Sequence, residues 1–76
     1  MKWARYKTGS GGYINTTYEL RNAENTRAAV IVNYGSEKRL DTYEREEARG
    51  EWANCYSKTY ERLNTAKEMG ERWICV

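Results

Sequence analysis

The residues that could do covalent chemistry are few. Two thiols, Cys55 and Cys75, stand beside one aspartate, Asp41, and ten glutamates, with no histidine in the chain. Tetrahedral zinc needs four nitrogen or sulfur donors, so two cysteines cannot close such a site and no metal is expected. Carboxylate catalysis needs two acids converging in a cleft with their pKa values driven apart, and nothing in the spacing of the glutamates brings a pair together. Ser57 or Cys55 as a nucleophile would lack its commonest base. The run Lys7, Thr8, Gly9, Ser10, Gly11, Gly12 has the glycines of a phosphate loop. There, however, the lysine follows the second glycine and opens a helix, whereas here it precedes the glycines and a strand follows. It reads as a hairpin turn. No enzymatic activity and no cofactor are expected, and both cysteines are expected as small buried hydrophobes with free thiols, a disulfide being the alternative.

Binding is the chemistry the composition favours. Seven Tyr, three Trp and eight Arg are the residue types enriched at the centres of protein interfaces, where they combine buried area with directional hydrogen bonds. Leu, Ile and Val number nine and Phe is absent, so aromatic rings must carry much of the burial, and a chain of 76 residues should leave some of them outside. Arg45, Arg49, Tyr13 and Tyr60 are the expected partner contacts, and Trp52, Tyr56, Leu63, Val30 and Val32 the expected core. The alternative is a module for single-stranded or structured nucleic acid. Arg5, Lys7, Arg21, Arg27, Lys38 and Arg39 would share a sheet side with Tyr6, Tyr13, Tyr18 and Tyr34 as stacking surfaces. Against it, eleven acidic residues nearly cancel thirteen basic ones.

The elements that must carry these side chains are an antiparallel sheet and a helix. Trp3 to Thr8 suits a strand, and Tyr13 to Leu20 alternates with period two. Thr26 to Tyr34 is the most β-prone stretch and is expected as the central strand, with Ala28, Val30, Val32 and Tyr34 on one face and Ala29, Ile31 and Asn33 on the other. Gly35 and Ser36 supply a turn into a short charged strand, Glu37 to Leu40. A helix is expected from Asp41 or Thr42, where Asp41 and Glu44 have the spacing of a capping box, to Asn64 or Gly70. Its apolar stripe would run through Ala48, Trp52, Cys55, Tyr56, Thr59, Leu63 and Ala66. Arg45 with Arg49 and Glu47 with Glu51 are like-charged pairs four apart on that helix, a local conflict that a partner could relieve. Arg72 to Val76 reads as a short carboxyl-terminal strand. The expected fold is one α+β domain spanning 1–76, with three to five antiparallel strands packed on one long amphipathic helix.

Segment 42–52, with Glu46, Glu47, Ala48 and Trp52 following a short β-meander and preceding a Tyr-rich tail, resembles small uncharacterised bacteriophage accessory proteins. The resemblance implies a phage-encoded factor of the host-takeover or defence-inhibitor type, a non-enzymatic inhibitor that binds and blocks a host protein. A cytoplasmic protein acting as a homodimer is expected, with no run of about 20 apolar residues for a membrane span.

Overall fold

The computed structural model describes residues 2–10 and 13–75, without the side chains of Ser10 and Tyr13. Five strands follow one another as an antiparallel meander: β1 (Ala4–Ser10), β2 (Tyr13–Arg21), β3 (Arg27–Asn33), β4 (Lys38–Glu44) and β5 (Ala53–Tyr60). One helix, α1 (Leu63–Ile74), closes the chain and lies across β3 and β4. The chain is therefore α+β, a five-stranded antiparallel sheet with one carboxyl-terminal helix. No helix among the described residues is long and apolar enough to cross a membrane.

Turn chemistry fixes the register. Between β2 and β3 the Asn22 side-chain oxygen accepts the N–H groups of Thr26 and Arg27 at 2.8 and 2.9 Å, and Asn25 takes the left-handed conformation at φ 58°. Between β3 and β4, Gly35 sits at φ 93° and its N–H is held by the Asn33 side chain at 2.8 Å. The glycines expected to form the first hairpin turn fall partly outside the described residues, although Gly9 already lies in β1 opposite Ile14.

Period two divides each strand between two environments. Leu20, Ala29, Ile31 and Leu40 point toward α1 and form the core with its Ala66 and Ile74. Trp3, Tyr18, Tyr60, Leu63, Met69 and Trp73 pack around that cluster. Rings thus surround a small aliphatic centre and do not fill it. The close approach of α1 depends on Gly70, because a Cβ there would stand 2.7 Å from the Trp3 ring and 3.2 Å from the Ala29 methyl. Arg27 donates to the Trp73 carbonyl at 3.1 Å and stacks 4.5 Å from its ring, placing a cation at the helix carboxyl end, where the dipole favours one.

Several expectations are corrected. Asp41 to Glu44 continue β4 and do not open a helix. The long helix is replaced by loop 45–52, strand β5 and a 12-residue helix that starts at Leu63. Thr42, Tyr43, Cys55, Tyr56 and Thr59 suit a pleated surface. Leu63, Ala66, Lys67, Glu68 and Met69 are stronger helix formers. The like-charged pairs 45/49 and 47/51 are reconciled because their segment is not helical. The terminal strand is likewise replaced, since Trp73 and Ile74 complete α1 and Cys75 caps it, its N–H bonded to the Glu71 carbonyl at 3.0 Å. Val76 lies outside the described residues. Neither cysteine is buried: Cys55 is a free thiol on β5, and Cys75 is exposed at the helix end.

Candidate protein-binding face

The side of the sheet turned away from α1 carries the second set of alternating residues. On β3 these are Ala28, Val30 and Val32, and the strand register sets them in three rows. Val32 lies between Thr17 of β2 and Arg39 of β4, Val30 between Glu19 and Asp41, and Ala28 between Arg21 and Tyr43. An apolar stripe down the middle strand is flanked on each side by a strand of alternating charge, Glu19 then Arg21 on β2 and Arg39 then Asp41 on β4. Both pairs close as ion pairs, at 2.7 Å for Arg21 with Glu19 and 3.2 Å for Arg39 with Asp41.

The neighbouring polar groups hold these charges in place. Tyr6 of β1 donates its hydroxyl to Glu19 at 3.1 Å, while the Thr8 and Thr17 hydroxyls meet at 2.6 Å. Ser57 of β5 donates its hydroxyl to Asp41. Partial burial, and secondarily the bonded Glu19 carboxylate, raises the Tyr6 phenol above its ordinary value of 10.0. Tyr43 is raised by burial and then by Asp41, with Arg39 opposing. Both phenols remain protonated at neutral pH.

Loop 45–52 reaches over one corner of this face and places Trp52 there. The indole lies 5.4 Å from the Arg21 guanidinium and 3.9 Å from that of Arg45, within cation–π range of both. Arg45 is pinned further by hydrogen bonds to the carbonyls of Asn25 at 2.8 Å and Gly50 at 3.1 Å. Trp52, Tyr43, Arg21, Glu19, Val30 and Ala28 surround a shallow hollow of about 180 Å³. Its floor is the apolar stripe and its rim is charged, the anatomy of an interface centre.

The expected contact residues are not brought together here. Arg45 reaches the corner of the face, but its guanidinium is spent on Trp52 and two backbone carbonyls. Arg49 is exposed in the same loop. Tyr60 ends β5 on the α1 side, half-buried against the core, with its hydroxyl buried and lacking a hydrogen-bond partner among the described residues. The side chain of Tyr13 lies outside the described residues. Of the expected core, Leu63 packs against the buried cluster. Val30 and Val32 are half-buried on the opposite side, Trp52 caps a corner, and Tyr56 is 39% exposed with its ring edge-on to Trp73. The residues that make the open face, Glu19, Arg21, Arg39 and Asp41, had a sequence signal in their opposite charges two apart within strand patterns. The nucleic-acid set is split. Arg21 and Arg39 with Tyr6 share the open face, Arg5, Lys7, Arg27 and Lys38 with Tyr18 share the helix side, and Tyr34 lies beyond β3.

The Cys55 thiol of β5 donates to the Glu44 carboxylate of β4 at 3.9 Å. Partial burial, and then Glu44, raises the Cys55 thiol above its ordinary value of 9.0, which lowers its thiolate fraction at neutral pH. No group of three or more metal-ligating side chains occurs among the described residues. No protein-family model, curated protein or solved structure matches the chain.

Proposed function

We propose that this chain is a non-enzymatic protein-binding module and that the sheet face opposite α1 is its interface. One observation carries the reading: Val30 and Val32 of the middle strand, half-buried among their neighbours, have no helix or second sheet over them, and only Ala28 at the end of the stripe is buried, beside Trp52. Five strands spaced about 4.8 Å apart, with about seven residues each, present roughly 550 Å². Pairing two such faces would bury about 1,100 Å², just above the roughly 1,000 Å² expected of a specific interface. The accessible surface of 5315 Å² also exceeds the roughly 4,900 Å² typical of a monomer of 9.0 kDa.

The surface that best complements this face is the same face of a second copy. A two-fold axis lying in the interface and crossing the strands at right angles reverses the order of the rows. Placed between the Val30 and Val32 rows, it sets Arg39 against the second copy's Asp41 and Asp41 against the second copy's Arg39. A host protein, the partner implied by the phage resemblance, would compete for the face by offering the same apolar middle and opposed charges. Analytical ultracentrifugation of the wild type and Val30→Lys tests this. The new ammonium would lie between Glu19 and Asp41, so the monomer tolerates it, but it puts charges into the apolar stripe. A micromolar dimer is expected for the wild type and a monomer for the variant. A wild type that stays monomeric at millimolar concentration refutes self-pairing.

A further inference from the structure

We infer a second binding surface, on the helix side of the sheet, that takes the phosphate backbone of a single-stranded nucleic acid. Helix α1 contacts β2, β3, β4 and β5, and β1 has no comparable contact with it, so the helix side of β1 is left uncovered beside the helix. Arg5 and Lys7 lie on this uncovered side of β1, opposite Tyr18 and Thr16. Lys67 enters from the helix, its ammonium 4.6 Å from the centre of the Tyr18 ring. Among the described residues none of these three cations forms an ion pair. Lys7 makes a hydrogen bond to the Thr16 hydroxyl at 3.0 Å, and Arg5 is exposed.

The carboxylates nearby in the fold offset this charge only in part. Glu68 is paired with Arg72 at 3.1 Å, while Glu71, which accepts the neutral Trp3 indole N–H at 2.9 Å, keeps its charge four residues from Lys67. The first turn of α1 contains no acidic residue. Glu19, though on β2, points to the opposite face with Arg21 and Tyr6. Arg5 and Lys7 are two residues apart on a strand, so their side chains leave the sheet roughly 6.7 Å apart. That spacing suits consecutive phosphates of an extended strand, while Lys67 approaches from the helix. Ile14, 67% exposed on the same side, gives the bases apolar surface to rest on. An acidic peptide would meet the same charges without using that surface.

The probe is a fluorescent oligothymidylate of about ten nucleotides, titrated with the full chain at several salt concentrations. Three phosphate contacts on a single strand predict a slope of log K against log salt near −2, or about 20-fold weaker binding between 50 and 200 mM salt. The triple variant R5Q/K7Q/K67Q, checked for folding by circular dichroism, should lose that binding, and K67Q alone should flatten the slope by about 0.7. Val30→Lys should bind the oligonucleotide at least as well as the wild type, which separates this surface from the protein-binding face. Three results would overturn the inference: no binding at 50 mM salt, a folded triple variant that binds undiminished, or competition by polyglutamate of matched charge as effective as unlabelled oligonucleotide.

Discussion

Replacing Gly70 by Ala tests whether helix and sheet approach each other as closely as described. In an ordinary helix interior this exchange stabilises by about 1 kcal/mol, because Ala loses less backbone entropy. Here the added methyl would stand 2.7 Å from Cη2 of Trp3, 3.1 Å from its Cζ2 and 3.2 Å from the Ala29 methyl. Ordinary contact begins near 3.4 Å, so the indole must retreat by about 0.7 Å. It is held by its hydrogen bond to Glu71 at 2.9 Å, one residue along the same helix. Overpacking of this kind costs about 1–3 kcal/mol. Set against the propensity gain, a net loss of up to about 2 kcal/mol is expected, a fall in Tm of up to roughly 15 °C for a domain of this size. Thermal and urea denaturation followed by circular dichroism measure it. The same exchange in a Trp3→Ala background removes the clash with the ring, so the substitution should there become neutral or stabilising, a coupling of about 2 kcal/mol. If Gly70→Ala raises Tm in the wild type, the close packing of Trp3 on α1 is wrong.

Three further outcomes follow from the same contacts. Trp52→Ala removes two guanidinium–indole contacts and uncovers Ala28, so a loss of about 1–2 kcal/mol in urea-measured stability is expected, whereas an exposed and idle Trp52 would cost nothing. Tyr60→Phe removes a buried hydroxyl that has no hydrogen-bond partner among the described residues and should leave stability unchanged or raise it by about 1 kcal/mol; a clear loss would mean that the hydroxyl is bonded. Folding raises the phenols of Tyr6, Tyr43 and Tyr56 above 10.0 and the Cys55 thiol above 9.0, so the folded chain holds protons that the unfolded chain releases. Stability from these groups is complete below pH 9 and declines as pH rises through 9 and 10. Tm measured across pH 7 to 11 should fall in that alkaline range, and a Tm that rises there contradicts the shifts.

The sheet was largely legible because its signals are local. Period two in β2, the two faces of β3 and the Asn and Gly turns at 22–26 and 35 each depend on a few neighbouring residues. The helix was not, because two local signals conflicted: the capping spacing of Asp41 and Glu44 favoured a start at 41, while Arg45 with Arg49 and Glu47 with Glu51 opposed one. Strand pairing of β4 with β3 settled the conflict, and β-forming residues at 53–60 then extended the sheet by another strand. The open face was hidden for a related reason. Val30 and Val32 have the composition of core residues, and only the position of α1 leaves them on the uncovered side. Trp52 meets Arg21 through a loop whose path no periodicity encodes.

Sedimentation equilibrium on charge-exchanged chains tests the binding face most directly. Arg39→Asp places like charges opposite each other across the two-fold, so self-association should weaken. The double exchange R39D/D41R restores the opposite pairing, both across the interface and within the strand, and should recover association to near the wild-type level. If R39D and R39D/D41R associate alike, whether as tightly as the wild type or not at all, the face opposite α1 is not the interface described here.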